Sequence, residues 1–516
     1  MQGERLVDVE RSALAVLVAA HVADGWRFAM LVGLDDRGSP WPAASGAPAI
    51  GGPGGAGFAV EVVLERPAEP ILRLRAALPA DEPSYASVGR LVPAALWDER
   101  EVKDLFGIVP EGHPDPRRLV LHETYPKGFH PLRVDAPAEV PEGSTDRHYV
   151  PFAVHGEGVY QLPVGPIHAG VIEPGHFRFS VIGESVLFLD ARLFFTHRGI
   201  EKLVEGRSFE RALPIVERAC GVCGVAHALA FSIAVERLAG TVVPDRADRL
   251  RAILAEFERL YNHVGDLGNM CAGIGFNVGS SQLGWLKERL LRTNESLTGH
   301  RYLAGAVAPG GLAIEPGRDA LSALPDRLVE VEGDLRAALR AVAGSEFAAD
   351  RFRATGHVPR ETALRLGAAG VAARASGLAM DLRRDHPTGA YGEFRALVCT
   401  SDAGDAAARF DVRAHEAQAS IDLLRELLAD LPEGPTRVPV GPVEPGRSAL
   451  GWAEGPRGAS WLWLRAGDGG TVNRLHLRSA SFANWPVVAA AAPGNLVPDF
   501  PLINKSFELC YACTDR

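Results

Sequence analysis

The middle of the chain is dominated by apolar residues at helical spacing. One stripe, which repeats every three or four residues, consists of Leu250, Ile253, Leu254, Phe257, Leu260, Tyr261 and Val264. This pattern predicts an amphipathic helix with one buried face. Segments of similar character cover residues 223–238, 282–297, 325–343, 360–380 and 405–429. Several long helices of this kind predict a bundle-like core.

Strand patterns lie on both sides of this helical region. Residues 177–190 predict a β-hairpin, because Gly183 and Glu184 supply turn chemistry between two apolar runs. Beyond Pro435 the helical spacing gives way to short strands, which include Ala459–Ala466 and Val472–Leu477. The large region therefore has β segments near its start and its end.

The beginning of the chain predicts a separate, small α/β unit. Residues 7–23 suit a helix, whereas Trp26–Gly33 and Phe58–Leu64 suit strands. Between the strands, residues 52–57 match G-x-G-x-x-G, but a dinucleotide fingerprint follows a strand and opens a helix. This match contains a proline and precedes a strand, so we interpret it as a loop.

A change of composition divides the chain. From Tyr125 to Tyr160, Pro, Gly and charged residues predominate without sustained periodicity, which indicates a linker or a strap across the surface. We therefore predict an N-terminal domain over 1–125, a linker over 126–160 and a large domain over 161–516. The predicted fold class is α+β, a small α/β domain followed by a mainly α-helical one.

Composition and charge exclude several classes of protein. The chain of 516 residues is 47% hydrophobic and 23% charged, which is typical of a soluble globular protein. A net charge of −10 argues against nucleic acid as a partner. No segment approaches the roughly 18 uninterrupted apolar residues of a membrane span, and the acidic N-terminus does not fit a secretory signal. Six cysteines in so long a chain indicate reduced thiols in the cytoplasm.

Four of the six cysteines form two C-x-x-C motifs, Cys220 with Cys223 and Cys510 with Cys513. One C-x-x-C is a weak signal, because redox pairs, zinc sites and chance all produce it. The separation of the two motifs far exceeds the ~15–20 residues between the pairs of a local zinc module. If the pairs meet, four thiolates converge inside a large fold. Soft sulfur donors of this kind select nickel, iron or zinc over magnesium or calcium.

The residues around these cysteines resemble a known family. The stretch R-A-C-G-V-C-G-V-A-H-A-L-A is similar to the first metal-binding motif of [NiFe]-hydrogenase large subunits. The ending C-Y-A-C-T-D-R resembles the second motif of their complex I-related group. The resemblance implies a nickel–iron centre, with CO and cyanide on the iron, in which the first cysteine of each pair binds nickel terminally and the second bridges the metals. One departure is Glu508-Leu509, where the family often has Asp-Pro.

Two further residues gain a role from the resemblance. Glu173, in E-P-G-H-F-R-F, resembles the hydrogenase glutamate that passes protons to and from a terminal cysteine, here Cys510, and burial would suit that relay. Arg457, in E-G-P-R-G, resembles the arginine placed over the iron and its diatomic ligands. Apart from the family, Glu173 fits an ordinary surface carboxylate and Arg457 an ordinary surface turn.

The remaining cysteines and histidines fit structural roles. Cys271 and Cys399 lie outside both motifs and suit core positions. We assign no histidine as a metal ligand among the four that accompany the motifs, which are His168, His176, His197 and His227.

A second resemblance concerns the N-terminal domain. Residues 97–108 predict an amphipathic helix closed by Gly107, and a turn with two arginines follows at residues 112–119. The simplest interpretation is a solvated helix face. The stretch also resembles the small hydrophilic complex I subunit, a module that formate hydrogenlyase-type hydrogenases fuse to their large subunit.

Together these resemblances imply the catalytic large subunit of a membrane-associated [NiFe]-hydrogenase, which interconverts H2 with protons and electrons. No further cysteine set in this chain can hold an iron–sulfur cluster, so an iron–sulfur small subunit is required. The family adds a ferredoxin-like electron-transfer subunit and the membrane subunits of a complex I-like arm. We therefore expect a peripheral protein at the cytoplasmic face of the cell membrane.

Two alternatives remain open. Residues 197–202 and 226–236 also resemble the quinone-binding subunit of complex I, although that subunit lacks the four cysteines. A protein of a different class, a non-catalytic scaffold stabilised by zinc, would also use two cysteine pairs. Metal content distinguishes the three hypotheses, because they predict nickel with iron, no metal, and zinc alone.

Overall fold

The computed structural model of the protein describes residues 3–37, 57–143, 148–152, 154–167 and 172–516. The loop predicted over 52–57 lies outside these stretches except for its last residue. Among the described residues, no helix is both long and apolar enough to cross a membrane. The predicted α+β class is confirmed, since a small N-terminal sheet precedes a larger, mainly helical part with strands near both its ends.

The N-terminal part is built on a four-stranded sheet. Its elements are β1 (Glu4–Asp8), α1 (Leu14–Ala23), β2 (Arg27–Asp35), β3 (Phe58–Glu65), β4 (Ile71–Leu78), β5 (Ser84–Ala86), α2 (Leu96–Phe106) and β6 (Val109–Glu111). The strand order is β1-β4-β3-β2, with β1 parallel to β4 and the other pairs antiparallel. Both predicted strands are confirmed. The helix predicted over 7–23 is wrong at its start, because the chain up to Asp8 pairs with β4.

Helix α2 buries the charged side chains that the sequence alone assigned to a solvated face. Glu99 accepts hydrogen bonds from the Ser87 hydroxyl at 2.6 Å and the Val88 amide at 2.7 Å. Asp104 accepts a 2.8 Å hydrogen bond from the Leu119 amide. Buried carboxylates are tolerated only with such partners. The solvated-face interpretation is therefore wrong. The carboxylates of α2 instead bind the chain segments before and after the helix through hydrogen bonds.

An irregular segment connects this part to the rest of the chain. Between β6 and β7 (Val159–Val164), the described residues form no helix or strand. The segment nevertheless packs against other parts of the chain. Phe129 and Leu132 are buried, and the Arg117 guanidinium lies 2.9 Å from a carboxylate oxygen of Asp190. These contacts hold the segment against the rest of the chain, while the linker or strap over 126–160 and the domain boundaries stay predictions.

The central region holds the helical bundle. Its elements after β7 are β8 (His176–Ile182), β9 (Ser185–Arg192), α3 (Ile200–Val204), α4 (Phe209–Glu217), α5 (Gly224–Ala239), α6 (Asp245–Gly273), α7 (Asn277–Thr298), β10 (Val307–Ala308), β11 (Gly311–Leu312), α8 (Arg318–Ser322), α9 (Leu324–Ala343), α10 (Glu346–Phe352), α11 (Arg360–Arg365), α12 (Gly370–Arg374), α13 (Leu382–Asp385) and α14 (Ala406–Leu428). Strands β7, β8 and β9 form an antiparallel sheet, which confirms the predicted hairpin. Apolar residues of α4, α5, α6, α7, α9 and α14 share the largest core.

One predicted helix is wrong. Residues 360–380 form two short helices, α11 and α12, rather than one long one. Gly367 and Gly377 adopt φ angles of +69° and +79°, which a right-handed helix cannot contain. The other predicted helices of this region are confirmed as α5, α6, α7, α9 and α14.

The last part of the chain returns to the bundle and completes the site. It contains β12 (Ser448–Gly455), β13 (Gly458–Ala466), β14 (Val472–Arg478), α15 (Ala480–Ala491), α16 (Phe500–Phe507) and α17 (Tyr511–Asp515). The three strands form an antiparallel sheet in the order β12-β13-β14. Strand β12 lies directly on α5, because a Cβ added to Gly451 would meet the Ala230 carbonyl oxygen at 1.8 Å. This contact brings the β12–β13 turn towards the start of α5.

Candidate metal centre

The structure brings the two cysteine pairs together at the start of α5. Cys223 precedes that helix directly, and Cys510 precedes α17. The sulfur atoms of Cys220 and Cys510 lie 3.4 Å apart, and the amide of Cys513 donates to the Cys510 sulfur at 3.3 Å. The four thiols form one cluster, in which only Cys510 is half-buried and the others are buried. None forms a disulfide.

The crowded thiols stabilise one another unequally as anions: burial opposes ionisation of Cys513, but hydrogen bonds with Cys220 and Cys510 hold its pKa well below its ordinary value. Hydrogen bonding to Cys220, together with burial, holds the pKa of Cys223 well above its ordinary value. Hydrogen bonds with Cys220 and Cys513 raise the pKa of Cys510 in the same way. Both shifts oppose the accumulation of negative charge in a buried space, which four thiolates can share only around a cation.

His227 lies against the sulfur cluster. One nitrogen of its imidazole ring and the sulfurs of Cys220 and Cys513 all lie within 4.8 Å of one another. Its Nδ1 is 2.9 Å from the Ser460 hydroxyl, whereas the buried Nε2 has no hydrogen-bond partner among the described residues. Burial lowers the pKa of His227 to about 4, so the imidazole is neutral. Nothing in the sequence distinguished this histidine from the others near the motifs.

Arg457, in the turn between β12 and β13, also contacts the sulfur cluster. Its Nη1 lies 3.2 Å from the Cys223 sulfur and 2.9 Å from Oδ1 of Asn262. Its Nη2 is 3.4 Å from Asp266, and its Nε donates to the carbonyl of Glu508. The guanidinium is thus held by α6 and the C-terminal segment beside one of the sulfurs.

Glu508 and Leu509, where the family often has Asp-Pro, form the turn that links α16 to α17. Helix α16 ends at Phe507, and Glu508 adopts a left-handed conformation with φ of +53°. Its carboxylate accepts a 2.5 Å hydrogen bond from Asn269. Burial, with the nearby Asp266 charge, raises the pKa of Glu508 to about 8. The turn still places Cys510 at the start of α17.

Glu173 is exposed to solvent in this chain, and its charge acts on Tyr511, the residue after Cys510. A Cβ on the nearby Gly175 would meet the Tyr511 ring at 2.6 Å. Burial, with a contribution from the Glu173 charge, raises the pKa of Tyr511 to about 12. The carboxylate therefore neighbours the residue that follows Cys510, but the chain by itself does not supply the burial that the sequence led us to expect.

Arg198 joins the two cysteine motifs, a role that the sequence did not reveal. Its Nη1 donates to the carbonyl of Arg218 at 3.0 Å, just before the first motif. Its Nη2 donates to Ala219 at 3.0 Å and to Ala512, inside the second motif, at 2.6 Å. One guanidinium thus fixes the backbone of both motifs relative to each other.

Glu258 fixes the turn that follows Cys223. Its two carboxylate oxygens accept hydrogen bonds from the amides of Val225 at 2.7 Å and Ala226 at 3.0 Å, in the first turn of α5. These amides have no partner within the helix, so an acidic group there stabilises the helix start. The only sequence signal was a glutamate on the buried face of α6.

The other cysteines and histidines lie apart from the cluster or have structural partners. Cys271 is buried in the core of the bundle, and Cys399 is half-buried. His176 is 3.1 Å from the Gly165 carbonyl and His197 is 2.6 Å from that of Asp515. His168 lies outside the described residues.

Comparison with known families identifies the class of protein to which the chain belongs. A family described as nickel-dependent hydrogenase matches residues 198–267, which include the first cysteine pair. The family described as respiratory-chain NADH dehydrogenase, 49 Kd subunit, matches residues 283–444 and 437–516, and the corresponding 30 Kd subunit matches residues 8–142. A buried four-thiol cluster on such a scaffold defines an oxidoreductase of the nickel-dependent hydrogenase class.

Individual relatives narrow the class. Formate hydrogenlyase subunit 5 of Escherichia coli (strain K12) is 36% identical over 450 residues, which cover 86% of this chain and 79% of the relative. Hydrogenase-4 component G of the same strain is 37% identical, with coverage of 86% and 78%. The carbon monoxide-induced hydrogenase of Rhodospirillum rubrum is 32% identical, with coverage of 69% and 99%. The chain belongs to the large subunits of the complex I-related [NiFe]-hydrogenases.

Proposed function

We propose that Cys220, Cys223, Cys510 and Cys513 hold a nickel–iron centre at which H2 is interconverted with protons and electrons. The observation that carries the proposal is the meeting of the two cysteine pairs, with 3.4 Å between the sulfurs of Cys220 and Cys510. Four soft sulfur donors in a buried cluster, with an unpartnered His227 nitrogen beside them, fit this group. When bound, the centre supplies the Lewis acidity and redox change that H2 cleavage requires.

Side chains of this protein supply positive charge beside that centre and transfer protons to and from it. Arg457 places a positive charge 3.2 Å from the Cys223 sulfur, held there by Asn262 and Asp266. We assign Cys510 as the sulfur that exchanges protons, because it is the half-buried member of the cluster. Glu173 then exchanges the proton with solvent. Its proximity to Tyr511, next to Cys510, supports this order.

The site also implies partner subunits. Electrons must leave the centre, and the two cysteines outside the cluster are too few to hold an iron–sulfur cluster. An iron–sulfur small subunit therefore docks on this chain, and a ferredoxin-like subunit and a membrane arm complete the complex. Two exposed apolar side chains, Ile167 (83% exposed) and Ile172, precede Glu173 in the chain, and a subunit bound over Ile172 and Glu173 would bury that carboxylate. Binding through the arm would hold the chain at the cytoplasmic membrane face.

Metal analysis of the purified complex tests the proposal. We expect nickel in the complex, iron in excess of nickel because the iron–sulfur subunits also contain it, and infrared bands from CO and cyanide on the iron of the nickel–iron centre. Zinc alone in an active, native preparation would contradict the proposal and support a scaffold. A complex that lacks nickel and reduces quinone would support the complex I-like alternative.

Replacing Arg457 by lysine tests the role of the guanidinium. Lysine keeps the charge but lacks the planar fork, whose Nη1 contacts Cys223 while its Nη2 and Nε contact Asp266 and Glu508. We expect H2 turnover to fall about 10–100-fold, as for other groups that orient metal ligands, while nickel content stays near normal. The matched control is Arg465→Lys in the same sheet, which contacts Asp36 instead. Equal turnover in both variants and the wild type would exclude the proposed role.

A further inference from the structure

We propose that the N-terminal part of the chain positions the second cysteine pair, through an ion pair between Glu101 and Arg516. The inference rests on the proposed assignment of the four cysteines as metal ligands. Glu101 lies on α2, far from the cysteines in sequence, whereas Arg516 follows Cys513 by three residues. Glu101 is thus a positioning residue, which acts on the metal centre through Arg516.

The ion pair is closely formed and buried. Nη2 of Arg516 lies 2.7 Å and 2.8 Å from the two carboxylate oxygens of Glu101. Glu101 is 3% exposed and Arg516 is 2% exposed. Hydrogen bonds between charged groups shielded from water are strong and hold a defined geometry. The pair therefore fixes the end of α17 against α2.

Other contacts of the same segment come from the large region alone. The Asp515 carboxylate accepts hydrogen bonds from the amides of Phe194 at 2.8 Å and Thr196 at 3.0 Å. Nη1 of Arg516 lies 3.1 Å from Glu201. Helix α17 has only five residues, which is too short to be stable without such contacts. Its position, and that of Cys513 within it, therefore depends on them and on Glu101.

Glu201 cannot replace Glu101. Its carboxylate is already shared with Arg474 at 2.7 Å and His476 at 2.9 Å. Loss of the Glu101 charge would leave the buried Arg516 guanidinium under-neutralised, and an unpaired buried charge is strongly unfavourable. The segment would then shift or loosen to bring the guanidinium towards water.

The same side chains do not suit a second metal site. Ligand atoms of Glu101, Glu201 and His476 lie within 4.8 Å of one another. Arg516 already neutralises both carboxylates, however, and its positive charge would repel a cation. The ion pairs with Arg516 therefore explain why Glu101, Glu201 and His476 lie together.

The test compares Glu101→Gln with the wild type in the intact, metal-loaded complex. We expect EDTA to extract nickel about 10-fold faster from the variant, because weakened support of a ligand lowers metal affinity. The nickel electron-paramagnetic-resonance signal should also shift, since Cys513 moves. Glu101→Asp, which keeps the charge, should show a nickel extraction rate and a resonance signal closer to those of the wild type.

The matched control is Asp36→Asn. Asp36 also joins the N-terminal part to the large region, through Arg465 at 2.6 Å; its ion-pair partners among the described residues are Arg75 and Arg465 rather than Arg516. We expect it to lower the melting temperature without changing nickel release. Equal nickel release from Asp36→Asn and Glu101→Gln would overturn the inference, as would wild-type release and spectra for Glu101→Gln.

Two results separate this inference from the proposed function. A wild-type complex without nickel would refute the metal assignment itself, whereas a nickel-loaded wild type with an unaltered Glu101→Gln variant refutes only the positioning role. If Glu101→Gln does not accumulate as a folded complex, Arg516→Lys carries the test. Lysine keeps the charge but cannot contact Glu101 and Glu201 together, so faster nickel release is expected and unchanged release overturns the inference.

Discussion

Serine at Cys220 or Cys513 is expected to abolish H2 turnover and to remove nickel from the complex. Serine matches cysteine in shape but offers a hard oxygen that stays protonated, whereas the site needs soft thiolates. Both sulfurs are buried in the cluster, so no solvent molecule can easily take the vacant ligand position. Nickel and iron per complex, together with H2 evolution, measure the effect.

Cys271→Ser is the matched control for this prediction. Cys271 is also buried, but it lies in the bundle core outside the sulfur cluster. The substitution should lower stability by roughly 1–3 kcal/mol, because it buries a hydroxyl, and should leave nickel content unchanged. Nickel retention and H2 turnover in Cys220→Ser would show that the cluster is not the metal centre.

The long helices were predictable because each repeats its apolar face over many turns. Helices α6, α9 and α14 show this clearly. Short elements carry too few residues for a period to emerge. Strand β1 is defined by its partner β4, which lies more than sixty residues later in the chain. The false helix over 360–380 had suitable spacing, but glycines in left-handed conformations interrupt it.

The candidate site was partly predictable for a related reason. The cysteine pairs stand out by their local spacing, and the resemblance extended this to Arg457 and Glu173. The groups that orient the cysteines have no such local signal. Arg198 and Glu258 act through backbone atoms of other segments. Glu101 looked like part of a solvated helix face, because only the folded chain shows that Arg516 lies against it.

The other large loss of H2 turnover is expected from Glu173→Gln. Glutamine keeps the size and hydrogen-bonding capacity of glutamate but cannot exchange the proton. We expect nickel and iron content to stay near normal, because Glu173 is exposed and lies outside the sulfur cluster. Turnover should fall ~10²–10⁴-fold, as is typical when one acid–base group is removed. H/D exchange with solvent should fall with it, since both need the same proton transfer.

The control for this variant is Glu184→Gln. Glu184 is another exposed glutamate, in the turn at the other end of β8, and its variant should behave as the wild type. Because Glu173 is exposed in the single chain, its effect should be measured in the complex, where a subunit bound over Ile167 and Ile172 would bury it. A Glu173→Gln complex that holds its metals and turns over H2 at the wild-type rate would show that protons leave Cys510 by another group.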